Sequence, residues 1–448
     1  MFRRSLRLNT LSILILLILL LLVLSLNAVA QSSNEKKQLL IWDVSVAGRE
    51  DLFNAVAEEF EKTHPDINVK VELYKNDPYK TKLQIVMNAG NPPHIFENMG
   101  GGILRDYVDS GLVAKITKPL SQKDWIGPTK MKWKEAFKPA SLGLSIFNSE
   151  EYGIPENIRA VGIYYNQDIF KKYNIQIPKT FEELKEVIKR LREKGLTPIA
   201  LGNRNKWTGA FYISYLANRI GGQEIFIKAA QGDPKIGFDH PSFIKASEMI
   251  RDLVEIQAFP KGFNGLNFDD SRGLFINEIA AMQLTGSFLE PIISGEAPEF
   301  LNKLLGWFPF PAVKDGKGNS SNILGGVSYL SISSKAIKDG VYEAAVDYLR
   351  LLTSEKWAKL GAQKYCKGDI SPIKGIKPAF SLNQGSYSSP SKALESANAL
   401  QPYYDQFLPP ELAEMHKDTC QAVFTKSLEP KEAMEMWEKA RKEYFKLK

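Results

Sequence analysis

The strongest constraint on the fold is an alternation of apolar strands with amphipathic helices that begins at Leu39. Residues 39–46 form a nearly continuous apolar run, which is typical of a strand covered on both faces. Residues 52–60 then carry apolar side chains at helical spacing, and residues 67–73 alternate as a strand does. The pattern predicts a βαβ unit with a right-handed crossover.

The same alternation continues toward Gly111. It predicts a helix over 79–89, a strand over 92–96 and a helix over 103–110 that follows a glycine-rich loop. This alternation of strands and helices predicts an open α/β sheet, in which ligands bind at the carboxyl ends of the strands. The side chains expected at that edge are Asp43, Ser45, Glu97, Asn98 and Met99.

The stretch from Tyr152 to Asn166 predicts the point where the chain passes from one lobe to another. Pro155 fixes its own φ and biases the residue before it toward an extended backbone, and residues 161–165 are β-branched or aromatic. A chain of 448 residues exceeds what a single hydrophobic core usually organises, so two lobes are expected. A ligand between the lobes would meet the polar residues of this crossing, Glu156, Asn157 and Arg159.

Residues 1–30 are expected to be a signal peptide. Basic residues at 3, 4 and 7 precede an apolar run from Leu11 to Leu26, and Ala28-Val-Ala30 gives the small-x-small pattern of a cleavage site. An uncleaved membrane anchor is the alternative. The signal-peptide pattern leads us to expect export to a periplasm, or to the extracellular face of the membrane if the segment is not cleaved. Cleavage would lower the net charge from +7 to 7 − 3 = +4, and the lysines are scattered, so we expect no nucleic-acid partner.

The two cysteines, Cys366 and Cys420, are open to two interpretations. In an exported protein they are expected to form a disulfide. The alternative is a pair of separate buried thiols, and spacing alone does not establish the geometry of a bridge.

Enzyme motifs are absent from the sequence. It contains no His-Glu-x-x-His segment, no phosphate loop and no complete nucleophile elbow, and the 4 histidines are scattered. We therefore expect no metal, no cofactor and no catalytic residue. A secreted carbohydrate-active enzyme stays open as an alternative, because two distant carboxylates are able to meet in a fold.

Taken together in order, several short stretches make the chain similar to the family 1 extracellular solute-binding proteins of bacterial ABC importers, the group that includes maltose-binding protein. The stretches are Leu39-Leu-Ile-Trp42, Pro93-His-Ile-Phe96, Gly111-Leu-Val-Ala114, Tyr152-Gly-Ile-Pro155, Tyr164-Tyr-Asn166, Pro178-Lys-Thr-Phe-Glu-Glu183, Ala281-Met-Gln-Leu-Thr-Gly-Ser-Phe288 and Gly325-Gly326. The chain departs from the family at Phe288, where tryptophan is frequent, and in the run Gly100–Gly102.

The resemblance implies a two-lobed periplasmic-binding-protein fold of type II, with open α/β sheets, flanking helices and hinge segments. The lobes are expected to be 31–155 plus 306–352 and 156–305 plus 353–448. It also implies a monomer that closes on a sugar and delivers it to the transmembrane subunits of an ABC permease. A non-sugar solute such as a glycerol phosphate ester is the alternative, with Arg159, Arg204 and Lys206 as its candidate cations.

A sugar presents hydroxyls and apolar C–H faces, so its site needs aromatic platforms beside carboxylate or amide groups. Core packing is the alternative role for each aromatic residue. The candidates in the second lobe and at the returning strand are Trp207, Phe211, Tyr212, Ser287, Phe288, Gly326 and Ser328.

Overall fold

The structure is a computed structural model that describes residues 36–379 and 389–447. The predicted signal peptide, residues 1–30, lies outside the described residues. Within the described ranges, no helix is both long enough and apolar enough to cross a membrane.

Strands and helices alternate through most of the chain. The strands are β1 (Lys37–Val44), β2 (Ile67–Tyr74), β3 (Ile95–Asn98), β4 (Ile146–Phe147), β5 (Glu150–Glu151), β6 (Ile154–Asn166), β7 (Thr197–Ala200), β8 (Ala280–Gly286), β9 (Leu305–Phe308), β10 (Ile323–Ile332) and β11 (Leu400–Pro402). The helices are α1 (Arg49–Thr63), α2 (Asn76–Asn88), α3 (Gly101–Asp109), α4 (Thr117–Leu120), α5 (Gln167–Lys172), α6 (Phe181–Glu193), α7 (Trp207–Gly221), α8 (Gln223–Ala230), α9 (Pro241–Glu255), α10 (Phe268–Ile276), α11 (Leu289–Glu296), α12 (Pro298–Lys303), α13 (Ser334–Lys338), α14 (Tyr342–Leu352), α15 (Glu355–Leu360), α16 (Pro390–Ser396), α17 (Tyr404–Phe407), α18 (Pro410–Thr425) and α19 (Pro430–Phe445).

The predicted βαβ unit is confirmed. β1 and β2 are parallel, with Ile41 opposite Val71, and α1, which connects them, buries one apolar face. β1 is covered on both sides, because Leu39 and Ile41 pack into one hydrophobic cluster and Trp42 packs into another. This explains the nearly continuous apolar run at the start of the chain.

The main sheet has the order β2-β1-β3-β10-β6-β8-β7, with β11 beside β10 and β9 beside β6. β6 is its longest strand. Residues 154–160 pair with β10, whereas residues 161–165 pair with β8 and residues 163–166 pair with β9. A third segment joins at the middle, where the Ile158 amide donates to the Ile370 carbonyl at 2.8 Å. The predicted crossing is therefore a strand with different neighbours at its two ends.

Separate hydrophobic cores lie at the two ends of β6. The first lobe is defined here by the residues packed around Phe53, and the second lobe by those packed around Phe243. Trp357 packs with the first core, although we expected residues 353–448 in the second lobe. Phe308 packs with the second core, although residues 306–352 were expected in the first. Phe308 packs there because β9 pairs with the far end of β6.

Candidate functional site

Buried charges cluster beside the middle of β6, where the segment of Ile370 joins it. Arg49 Nη1 lies 3.3 Å from Asp43 Oδ2, and Arg49 Nη2 lies 3.0 Å from Asp369 Oδ2. Arg49 also contacts Glu156, and Arg159 contacts Asp369. We call these five residues the hinge network. Each of the five side chains is less than 10% exposed, with the largest value 9% at Asp369, so little water screens the charges.

A glycine turn places Arg49 in this network. Gly48 has a φ of +75°, which favours glycine, and it ends the loop that follows β1. A Cβ on Gly48 would lie 2.0 Å from the carbonyl oxygen of Tyr365, so the two backbones pack directly on one another. Arg49 is then the first residue of α1, and its side chain reaches back to the carboxyl end of β1.

Burial dominates the electrostatics of the acids at this strand edge. It raises the pKa of Asp43 to about 6 against the opposing charge of Arg49. It also raises the pKa of Glu97 to about 7, aided by the charge of Asp43 and opposed by a hydrogen bond with Ser328. Burial alone would lower the pKa of Arg49, but Asp43 and Asp369 outweigh that effect and raise it. The guanidinium therefore stays charged while Asp43 and Glu97 titrate near neutral pH.

An aromatic cluster lies in the second lobe. The ring centroid of Trp207 is 5.3 Å from Phe268, 5.5 Å from Phe211 and 6.0 Å from Phe288. Trp207, Phe268 and Phe288 are half-buried, and the Trp207 indole nitrogen has no hydrogen-bond partner among the described residues. Part of this aromatic surface is thus open to a ligand, with a buried donor beside it.

Tyr403 connects the aromatic cluster to the hinge. Its ring centroid lies 5.5 Å from that of Phe211, and its Cε2 would lie 2.5 Å from a Cβ placed on Gly326. Gly326 is opposite Arg159 in the β10–β6 register. The Tyr403 hydroxyl is buried without a partner in the part of the chain that the structure describes. A ligand hydroxyl would satisfy it.

The structure brings together most of the predicted site residues. Ser328 is opposite Asn157 in the β10–β6 register, and the Ser287 amide donates to the Ala160 carbonyl at 2.8 Å. The predicted residues that lie at the hinge or in the aromatic cluster are Asp43, Glu97, Glu156, Asn157, Arg159, Trp207, Phe211, Ser287, Phe288, Gly326 and Ser328.

Three predicted residues lie elsewhere. Ser45 is exposed beyond the end of β1. Asn98 has a structural role, because its amide donates to Ser331 Oγ at 2.8 Å and its oxygen accepts from the Gly100 amide at 3.0 Å. Tyr212 packs in the second core, with ring centroids of Phe259 and Phe424 at 5.5 and 5.9 Å. In the structure Tyr212 is therefore a core residue, which was the alternative interpretation of this side chain.

Sequence reasoning missed Arg49, Asp369 and Tyr403. Gly48 was a usable signal for Arg49, since glycine at the end of a strand loop often marks a close backbone contact. Asp369 and Tyr403 lie in irregular segments of the chain and carry no periodic pattern. Their roles depend on contacts with residues far away in sequence.

The expected disulfide is wrong. Cys366 and Cys420 are both free and buried. Cys366 packs in the core of the first lobe and Cys420 in that of the second, so the lobes separate the two sulfurs. Burial raises the pKa of the Cys366 thiol to about 12, which makes it a poor nucleophile.

Known proteins share this architecture over most of the chain. The family model described as bacterial extracellular solute-binding protein matches residues 47–359. An uncharacterized ABC transporter extracellular-binding protein of Pyrococcus horikoshii is 27% identical over 347 residues, which are 75% of this chain and 69% of the relative. The multiple sugar-binding protein of Streptococcus mutans is 25% identical over 336 residues, 72% of each chain.

A solved structure of a chitin oligosaccharide binding protein superposes with a TM-score of 0.80 at 22% identity, covering 92% of this chain and 99% of the other. The two-lobed α/β fold that the resemblance implied is thereby confirmed. The family model matches more than half of the chain, and the matched residues include the hinge strand β6 with Arg49, Glu156 and Arg159 of the hinge network. The chain belongs to the bacterial extracellular solute-binding proteins, the binding components of ABC transporters.

Proposed function

We propose that this protein binds a neutral sugar or oligosaccharide between its lobes and delivers it to the transmembrane subunits of an ABC permease. The observation that carries the proposal is the half-buried aromatic cluster around Trp207 beside the buried acids and amides of the hinge. Aromatic rings pack on the C–H faces of a sugar, and carboxylates accept hydrogen bonds from its hydroxyls. The Streptococcus mutans relative is a multiple sugar-binding protein, which supports this ligand class.

The balance of charge at the hinge favours a neutral ligand over a phosphate ester. Four carboxyl groups, those of Asp43, Glu97, Glu156 and Asp369, surround the guanidiniums of Arg49 and Arg159. Both guanidiniums already contact carboxylates, so an anion entering here would meet net negative charge.

The other cations proposed for a phosphate site give it no support. Arg204 is exposed, and Lys206 contacts Asp418 on the second lobe. An enzyme is not favoured either, because the family and the relatives are binding proteins. We therefore propose a monomeric, non-catalytic binding protein, exported after removal of residues 1–30.

The lobes that we propose differ from those expected from sequence. The first consists of residues 36–154 with 330–368 and 372–376, and the second of residues 161–324 with 403–437, a division that the packing of the two cores supports. Residues 155–160, 325–329 and 369–371 join them as the hinge. Closure about this hinge would bring the aromatic cluster and the acids onto one ligand.

A thermal-shift screen of residues 31–448 tests the proposal. The panel contains mono- and oligosaccharides, polyols, glycerol phosphates and amino acids. A ligand at 100 times its Kd stabilises a protein by about 2.7 kcal/mol, which is easily seen as a rise in melting temperature. We expect a neutral saccharide to raise it in the wild type and to have a smaller effect in Trp207→Ala. Stabilisation only by a glycerol phosphate would overturn the ligand class.

A further inference from the structure

Two glycines at the start of α3 touch the backbone of the opposite lobe. A Cβ on Gly102 would lie 2.2 Å from the carbonyl oxygen of Leu408 and 2.6 Å from its carbonyl carbon. A Cβ on Gly101 would lie 2.3 Å from the carbonyl oxygen of Gln406. The obstacles are backbone atoms, which are unable to rotate away as a side chain does. The contact therefore requires glycine at both positions.

The two sides of this contact belong to different cores. Leu104 of α3 packs with Trp42 and other residues of the first lobe. Leu408 packs with Phe424 and other residues of the second lobe. The contact joins the lobes through α3 and α17, and both helices lie outside the three segments that form the hinge.

The contact also lies next to two buried acids, one from each lobe. Glu97 is the last but one residue of β3, lies four residues before Gly101 and is 4% exposed, and Asp405 precedes Gln406 and is 8% exposed. Lys80 lowers the pKa of each of these carboxyls, although burial, the larger effect, raises both. One ammonium thus lies close enough to act on both acids.

We propose that Gly101 and Gly102 form the closing contact between the lobes, and that this contact positions Glu97 against the second lobe. The inference rests on the hinge closure proposed above. It assigns a purpose to the glycine run in which this chain departs from its family. Gly102 is a positioning residue, because it acts on the ligand only through the separation of the lobes.

Gly102→Ala separates closure from folding. Gly102 lies within α3 and its φ is not positive, so alanine fits the local backbone and is the better helix former. The open protein should therefore keep its melting temperature or gain a few degrees. The closed protein should be blocked by the Leu408 carbonyl. Gly273→Ala in α10 is the matched control, because it is also a helical glycine and nothing lies within 4 Å of its added Cβ.

Disulfide trapping measures closure without any ligand. The side chains of Asp77 in the first lobe and Asn205 in the second are in contact, so the pair Asp77→Cys and Asn205→Cys should become bridged when the lobes close. The native thiols are buried and do not compete. Oxidised glutathione is the oxidant, and a mobility shift on a non-reducing gel gives the rate of bridging.

We expect Gly102→Ala to slow bridging at least tenfold and Gly273→Ala to leave the rate unchanged. An undiminished rate in Gly102→Ala, with the wild-type background bridging normally, would overturn the glycine contact and leave hinge closure intact. No bridging in the wild-type background would overturn both. A fall of the Gly102→Ala melting temperature by more than the control would also overturn the inference, since it would mark a structural role in the open protein.

Discussion

Arg49 and Asp369 are joined by a hydrogen bond of 3.0 Å between Nη2 and Oδ2, although 320 residues separate them in the chain. Asp369 also contacts Arg159 in the middle of β6. The Asp369 carboxylate therefore contacts two guanidiniums, that of Arg49 in the first lobe and that of Arg159 in the hinge strand. Because each of these charges is buried, the network is stable only while it is complete.

Replacing Asp369 with asparagine should destabilise the protein by about 3 kcal/mol, since two buried guanidiniums lose a charged partner. Urea unfolding measures the free energy. Asp347→Asn is the control, because Asp347 pairs with Arg350 at 43% exposure and its loss should cost at most about 1 kcal/mol. Equal effects of the two substitutions would show that the network contributes no more than a surface pair.

The local parts of the fold were predictable from sequence, and the network was not. β1, α1 and β2 follow from periodicity among neighbours, and the crossing at β6 follows from its proline turn and β-branched run. Asp369 was not predictable, because its partners lie in β6 and α1 and no local pattern marks it.

Helix α7 shows a second feature that the sequence does not predict, which is the role of each of its aromatic residues. Trp207 and Tyr212 lie on the same helix, and residues 208–219 are all buried, so periodicity does not reveal which aromatic side chain faces a ligand. Only the packing of Phe259, Phe310 and Phe424 around Tyr212 separates the two roles.

Removing the Tyr212 hydroxyl should leave stability unchanged or raise it by up to about 1 kcal/mol. This hydroxyl is buried and has no hydrogen-bond partner within the described ranges, so Tyr212→Phe removes an unsatisfied group while it keeps the ring. Ligand affinity should not change. Denaturant unfolding and calorimetric titration with the saccharide found in the screen check both points. A loss of affinity would return Tyr212 to the ligand site.

Stability should fall as pH rises through the range in which Glu97 titrates. Burial, and then the charge of Asp43, raise the pKa of Glu97 from 4.5 to about 7. The folded protein thus binds this proton more tightly than the unfolded chain does. The contribution is fully present below pH 4.5, is lost as pH rises to about 7 and changes little above that.

The Glu97→Gln variant isolates this effect. The free energy of unfolding of this variant should depend less on pH between 4.5 and 7 than that of the wild type. The difference should be on the order of 3 kcal/mol across that range. Unfolding in urea at a series of pH values measures it. Glu58→Gln, on the exposed side of α1, is the control. A slope in Glu97→Gln equal to that of the wild type would contradict the assignment, since Asp43 and Glu290 would then account for the dependence.

Reducing agent should leave the melting temperature unchanged, because both thiols are free and buried in separate cores. A disulfide over this span would contribute roughly 4 kcal/mol, so its reduction would be obvious. Thiol titration of the unfolded chain should give the full cysteine content, 2 per chain, without reduction. Titration of the folded protein should be slow. A titre near zero in denaturant would restore the disulfide.

Gly326→Ala should weaken ligand binding and also lower stability. An alanine Cβ here would lie 2.5 Å from Tyr403 Cε2, so the buried ring has to move, which costs about 1–3 kcal/mol as overpacking does. Because the Tyr403 ring packs on Phe211 and Phe211 packs on Trp207, its displacement disturbs the proposed sugar platform. We expect about a tenfold loss of affinity, equivalent to about 1.4 kcal/mol. Calorimetric titration with the saccharide found in the screen measures this loss.

The double variant is the control. Tyr403→Ala should remove the clash and leave Gly326→Ala with no further effect, since the two substitutions then act through the same ring. Additive losses in the double variant would show instead that Gly326 contacts the ligand through its own backbone.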